Sequence, residues 1–148
     1  MRTALLVFFA TAIISCNNNN STGSRAAAIK IDTVAVLKGH QWKIVSSGTD
    51  ANKNGIPEPN ELTVHTAVFP VLTFGDNGYM TDTMVYTTPP HSTGTDGYWR
   101  FTGPNKSQIY FSEDSVGYHN CTIKNITDST LNLYLAPNYW WICKKYTP

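Results

Sequence analysis

Charge is what this sequence has least of. Only 14% of its 148 residues are Asp, Glu, Lys or Arg, and 11 basic side chains almost balance 10 acidic ones, for a formal net charge of +1. Nucleic-acid binders normally carry a basic stripe that displaces phosphate counterions, and this balance argues against that class. Glutamate occurs three times, against 19 threonines and 13 asparagines. That is poor material for helices and good material for strands joined by polar turns. The apolar run Ala4–Ile14 covers eleven residues, short of the about 20 that a spanning helix needs. There is no Gly-x-Ser-x-Gly elbow, no His-Glu-x-x-His and no phosphate-binding glycine loop. His40, His65, His91 and His119 are scattered without metal-ligand spacing. No residue nominates itself as nucleophile or base, so the chain is expected not to be an enzyme. What is present is 41% hydrophobic and 12% aromatic residues, enough for a packed core and against global disorder. The length suits one domain.

The N-terminus gives an address. Arg2 precedes the apolar run, which reads as a secretory signal. Ile13-Ile14-Ser15-Cys16 resembles a bacterial lipobox: two apolar positions, a small residue, then cysteine. The resemblance implies that the Cys16 thiol is diacylglyceryl-modified, that residues 1–15 are removed as a lipoprotein signal peptide, and that the new amine is acylated. The alternative is a plain secretory signal that contains a cysteine. Two or three acyl chains anchor stably, because each buried CH₂ contributes about 0.8 kcal/mol. Cleavage removes Arg2 and no acid, leaving neutral mature side chains, so the lipid and not a polybasic patch does the anchoring. Asn17 rather than Asp follows the cysteine, so the inner-membrane retention signal of some lipoproteins is missing. An outer-membrane location in the cell envelope is expected, in either leaflet. Residues 16–30 form the lipidated N-terminus and a polar, low-complexity tether (NNNNSTGSRAAA), and the folded domain covers 31–148.

From Ile31 onward short strands alternate with turn signals. Ile31–Lys38 is expected as one short helix, with Asp32 as N-cap and Gly39 as terminator. Strands are expected at His40–Ser47, Ala67–Phe74, Gly78–Tyr86, Gly97–Thr102, Gln108–Ser112, Tyr118–Ile126, Thr130–Ala136 and Tyr139–Tyr146. Turn residues cluster between them, as in Gly75-Asp76-Asn77-Gly78 and Gly103-Pro104-Asn105. Eight sequential strands predict an all-β, antiparallel up-and-down barrel, which leaves no open sheet edge. The expected interior is Trp42, Ile44, Leu72, Phe74, Tyr79, Trp99, Phe101, Ile109, Phe111, Ile123, Leu131, Leu133 and Leu135. Ile123 and Ile126 are three apart, so both point inward only across a bulge. Small eight-stranded barrels either fill such an interior or hold one small ligand in it.

Leu37-Lys38-Gly39-His40-Gln41-Trp42-Lys43-Ile44 resembles the first-strand motif of lipocalin-like domains in small bacterial lipoproteins. Leu72 to Tyr79, Gly97-Tyr98-Trp99-Arg100-Phe101 and Ile123 to Leu133 continue the resemblance, which covers residues 37 to 146. In true lipocalins one residue separates glycine and tryptophan, whereas here two do. The resemblance implies that Trp42 closes the barrel floor and that Lys144 or Lys145 lies above it. Together with the aromatic interior it implies a small apolar or amphipathic ligand inside the barrel, and the chain is expected to be a monomer.

The strongest chemical motif is Asp50-Ala51-Asn52-Lys53-Asn54-Gly55-Ile56-Pro57-Glu58-Pro59-Asn60-Glu61, which fits the calcium-loop pattern D-x-[DN]-x-[DN]-G-x₅-E at every required position. Asp50, Asn52 and Asn54 would offer side-chain oxygens, Ile56 its carbonyl, Glu58 a water-mediated contact and Glu61 both carboxylate oxygens. No flanking helices are expected, and Pro57 and Pro59 fall where a second helix would begin. The alternative is a polar connection in which Asn, Gly and Pro merely turn the chain.

Cys121 and Cys143 remain after lipidation of Cys16, and in an oxidising compartment the count invites a disulfide. The strand assignment resists it, placing Cys121 near Ala136 and Cys143 near Asn132 with a whole strand between them. Tyr139-Trp140-Trp141 reads as a sugar-stacking platform or, more simply, as one inward and one outward aromatic on the last strand. Asp32-Thr33-Val34, Asp82-Thr83-Met84, Asp114-Ser115-Val116 and Asp128-Ser129-Thr130 resemble the O-glycosylation triad of some envelope proteins, and are also ordinary turn chemistry. Besides interior ligand binding, the sequence leaves open an interaction module whose loops bind an envelope protein or a glycan. An enzyme-inhibitor lipoprotein is a lesser alternative, because the Ser-Gly-x-x-Tyr inhibitory loop is not found.

Overall fold

The computed structural model describes residues 32–113 and 117–148. Cys16, the signal peptide 1–15, the tether 16–30 and the Asp114-Ser115-Val116 triad lie outside the described residues. Asp32 starts the chain's one α-helix among them, α1 (Thr33–Gly39). Its Oδ1 accepts the N–H groups of Val34 at 3.0 Å and Ala35 at 3.3 Å, two donors that the first turn would otherwise leave unpaired. The cap therefore works as expected, with the helix described from Thr33; Ile31 lies outside the described residues. Gly39 is the last helical residue, and the extended His40 ends the helix.

Nine strands follow: β1 (Gln41–Thr49), β2 (Thr63–Val64), β3 (Val68–Phe74), β4 (Tyr79–Thr87), β5 (Pro90–Phe101), β6 (Gln108–Glu113), β7 (Gly117–Ile126), β8 (Thr130–Leu135) and β9 (Tyr139–Tyr146). Every neighbouring pair is antiparallel, and β1 also pairs with β9, which closes the sheet. β2 and β3 pair with different stretches of β1, Ser46–Ser47 and Gln41–Lys43 respectively. They form one interrupted stave, so the barrel has the eight staves expected. The expectation missed β2 and the first half of β5. Residues Pro90–Asp96 contain no aliphatic or aromatic core former, and it is their ladder to β4 that makes them a strand.

Register identifies the inner face. Trp42 stands opposite Leu72, Leu72 opposite Asp82 and Asp82 opposite Thr95. Leu133 stands opposite Trp141, and Trp141 opposite Ser47. The register of β7 and β8 shifts between Ile123 and Asn125, and this bulge lets both Ile123 and Ile126 pack against the core. It also moves Cys121 opposite Leu135 instead of Ala136. Cys143 stands opposite Leu131 instead of Asn132, because the connection between β8 and β9 is one residue longer than expected.

α1 closes one end. Leu37 is buried in the core, and the Trp42 indole N–H donates to the Leu37 carbonyl at 2.9 Å. Lys38 of the same helix pairs with Asp76 at the turn after β3. Lys145 is the register partner of Trp42 at this end, and both Lys144 and Lys145 are exposed. No helix of the described residues is long and apolar enough to cross a membrane.

Candidate functional site

The barrel interior divides into two halves of different character. Toward α1, Trp42, Ile44, Leu72, Phe74, Met80, Ile109, Phe111, Leu131 and Leu133 are each at most 1% exposed. Solvent reaches none of these side chains, so that half is packed solid. Trp99 is buried, and Phe101 and Ile123 are partly buried against the same cluster. Tyr79 is a correction. It points outward, 53% exposed, and Met80 takes the inward place. The turn at Gly78, with φ of 73°, sets this phase.

Toward the opposite end the inward positions are half-open and of mixed polarity. Asp82, Met84, Thr95, His119 and Trp141 are partly exposed, although register puts them on the inner face. Phe111 forms their floor, stacked with Trp141 at 5.5 Å between centroids and 5.2 Å from the His119 ring. At the rim, the Ser47 hydroxyl lies 2.8 Å from His65 Nε2 and 3.1 Å from the Tyr139 hydroxyl. Sequence spacing could not reveal this trio, since closure of β1 on β9 and on β2 brings it together. An acyl-transfer site would also need an acid orienting the imidazole and donors for an oxyanion. The described hydrogen bonds of this trio include neither.

Cys121 and Cys143 are free and buried, with β8 between them. Burial pushes the Cys121 thiol up to about 12. Burial, with the nearby Cys121, raises that of Cys143 as well. At pH 8 a pKa near 12 leaves about one thiol in ten thousand as the reactive thiolate. Iodoacetamide is expected to alkylate neither cysteine in the folded protein and both in denaturant, read by intact mass. Rapid native alkylation, or a bridged pair in the unreduced protein, would contradict the strand order.

The Asp50–Glu61 segment lies on the outer wall. Asp50 is 0% exposed. Its Oδ1 accepts the Asn54 N–H at 3.1 Å, and its Oδ2 accepts the Gly55 N–H at 2.9 Å and the Tyr134 hydroxyl at 2.9 Å. Burial alone would raise its pKa, but the Gly55 N–H, the Tyr134 hydroxyl and the N–H groups of Asn54 and Lys53 hold it below the usual value. Asn52 Oδ1 and Asn54 Oδ1 accept the N–H groups of Asn54 and Ile56 at 2.9 and 2.7 Å. Both asparagine amides donate to Glu58. Glu61 Oε1 accepts from the N–H groups of Ala51 and Asn52, while its Oε2 is buried with no partner. Ile56 exposes its side chain. The structure thus gathers Asp50, Asn52, Asn54, Glu58 and Glu61 in one compact loop. Among the described residues no three His, Cys, Asp or Glu side chains are grouped as a metal site, so any ion here would rely on amide and backbone oxygens too.

The aromatic triplet of β9 is dispersed. Trp141 faces inward, Tyr139 stands at the rim, and Trp140 faces outward opposite Gly48 and Tyr134. Trp140 is nonetheless buried, and there is no stacking platform. The most exposed aromatics, Tyr79 and Tyr98, lie on the outer face of β4 and β5. Tyr79 and Tyr98 are 4.9 Å apart, and Arg100 lies over the Tyr110 ring at 5.1 Å. A shallow groove of about 380 Å³ runs past Tyr98, Arg100, Tyr110 and Ser112. Alternation along β5 and β6 carried the signal, because Tyr98 and Arg100 flank the inward Trp99.

The chain matches no protein-family model and no curated protein sequence. Solved structures that share its architecture include two bacterial proteins. A lipocalin-like protein from Bacteroides uniformis ATCC 8492 superposes with a TM-score of 0.55 at 12% identity, covering 75% of this chain and 99% of that one. An uncharacterized protein from Bacteroides eggerthii DSM 20697 gives 0.55 at 11% identity, covering 72% and 98%. The fold is a lipocalin-like barrel. At these identities the likeness concerns fold alone. The lipocalin-like barrel of this chain has one end sealed by α1 and Trp42, and its half-open end lined by Asp82, Met84, Thr95, His119 and Trp141.

Proposed function

We propose that this chain is a lipid-anchored, non-catalytic protein of the cell envelope that holds a small amphipathic ligand in the open half of its barrel. The observation that carries the reading is the contrast between the two halves of the interior. One is packed beyond the reach of solvent, and the other combines the Phe111–Trp141 aromatic floor with polar walls at Asp82, Thr95 and His119. An apolar portion would rest on the floor, and a polar group would meet the Ser47–His65–Tyr139 rim. Binding sites of this kind are concave, mostly apolar and carry a few placed polar groups. The Cys16 lipobox supports the anchor, with the outer membrane as its location.

Native mass spectrometry of the full chain, produced in bacteria and taken from their membranes, tests both parts. The expected polypeptide begins at Cys16, carries two or three acyl chains, and releases one small adduct on activation. Trp141→Ala is expected to lose the adduct while keeping the β-sheet circular dichroism spectrum. Folded protein without an adduct, or an adduct that survives filling the mouth with Thr95→Trp, would overturn the ligand reading.

A second reading is favoured by the Tyr79, Tyr98, Arg100 and Tyr110 cluster on the outer wall. Exposed tyrosines beside a guanidinium suit a glycan or an envelope protein. In that case the adduct is absent, and Tyr98→Ala rather than Trp141→Ala abolishes binding of envelope glycan fragments.

A further inference from the structure

We propose that the Asp50–Glu61 loop is a calcium site that clamps the loop to the outer wall of the barrel. The donors are Asp50, Asn52 Oδ1, Asn54 Oδ1, the Ile56 carbonyl and Glu61 Oε2, with Glu58 acting through water. Sequence spacing places these groups at positions one, three, five, seven, nine and twelve of the calcium-loop pattern. Spacing alone does not make a site, and the observation that points to an ion is the state of Glu61. One of its oxygens is held by two backbone N–H groups, whereas Oε2 is shut off from solvent and meets no donor. An ionised oxygen left that way is costly unless a cation answers it. Among the described residues, none of Asp50, Glu58 and Glu61 takes part in an ion pair; the pair found is Lys38–Asp76.

The two ends of the pattern meet. Glu61 accepts from the N–H groups of Ala51 and Asn52, the residues next to Asp50, and Asp50 accepts from the Tyr134 hydroxyl. Asn52 and Asn54 spend one lone pair each on a backbone N–H, and a carbonyl-type oxygen has a second to offer. An all-oxygen set of this size suits calcium. Magnesium demands a stricter octahedron and keeps several waters, and zinc prefers nitrogen and sulfur.

The barrel wall takes the place of flanking helices. Asp50 exchanges backbone and side-chain hydrogen bonds with Asn138 and accepts from Tyr134 of β8. The chain at Glu61 crosses directly above Gly48. With no helix pair to open, the ion acts as a clamp and not as a sensor. Only three carboxylates contribute, so the dissociation constant belongs near the extracellular range of about 10⁻⁴–10⁻³ M.

Isothermal titration of calcium chloride into the chelator-treated full chain is expected to give one saturable site, with magnesium chloride at least ten-fold weaker. Glu61→Gln, which keeps shape and removes the charge, is expected to weaken calcium at least ten-fold. Trypsin cleavage after Lys53, the one basic residue of the loop, is expected to slow at least ten-fold in calcium. Absence of saturable heat in the wild-type chain up to 10-fold above the upper expected constant would overturn the proposal, whatever the variant does. So would unchanged affinity in a folded Glu61→Gln protein, since the ion would then lie elsewhere.

Discussion

Replacing Phe111 with alanine is expected to lower the stability of the barrel by about 3–5 kcal/mol. Phe111 lies at the boundary between the packed and the open halves of the interior. It faces Trp99 and His119 across its two neighbouring strands and stacks on Trp141. Truncation forfeits the transfer of a whole aromatic ring and leaves a cavity whose walls are poorly able to collapse. Those walls are staves of a closed ladder, each hydrogen-bonded on both sides, so moving one inward strains the rest. The cost therefore belongs in the upper part of the range for large-to-small changes. Denaturant unfolding followed by tryptophan fluorescence measures it, with a lower midpoint at unchanged slope. Tyr79→Ala is the control: it removes a comparable ring from the outer wall and is expected to change stability by no more than about 0.5 kcal/mol. Equal losses in the two variants would mean that the inner and outer faces of β4 and β6 are misassigned.

The alternation of apolar residues made the barrel legible. Period-two patterning in β1, β3, β5, β6 and β8 picked residues that pack in the core, and the spacing of Ile123 and Ile126 demanded a bulge where the register does shift. Less legible was anything that depends on backbone pairing alone. The first half of β5 has no core-forming side chains, so no pattern marks it. Tyr79 is adjacent to a turn whose left-handed glycine sets the phase of the strand, and alternation cannot be counted through such a turn. The loop chemistry was legible as a list of donors, because spacing within twelve residues is local. Its setting was not. The Tyr134–Asp50 hydrogen bond joins residues 84 apart in sequence, and alternation does not announce an outward-facing Trp140 that is buried beside the Tyr134 ring. Local order, then, carries the donors, and barrel closure supplies the wall that holds them.

Gly48 is the point where that wall and that loop meet, and Gly48→Ala is expected to destabilise the protein by about 2–3 kcal/mol. Its backbone is not in the left-handed region, so alanine is conformationally permitted and the effect is one of space. A Cβ at this position would overlap the carbonyl oxygen of Glu61, with the Glu61 carbonyl carbon and the Leu62 Cα close behind. All three are backbone atoms and cannot rotate away as a flexible side chain would. The chain at Glu61 must lift, and the buried Trp140, which stands opposite Gly48 on β9, is expected to gain solvent exposure. Three readouts should therefore move together: a lower denaturation midpoint, a red-shifted tryptophan emission and faster trypsin cleavage after Lys53. Gly39→Ala separates this from a general glycine effect, because a Cβ there meets nothing within 4 Å. In α1 that substitution is expected to be neutral or stabilising by up to about 1 kcal/mol. Wild-type stability in Gly48→Ala would show that the loop does not rest on β1. Its anchorage would then depend on Asp50 and its partners Tyr134 and Asn138 alone.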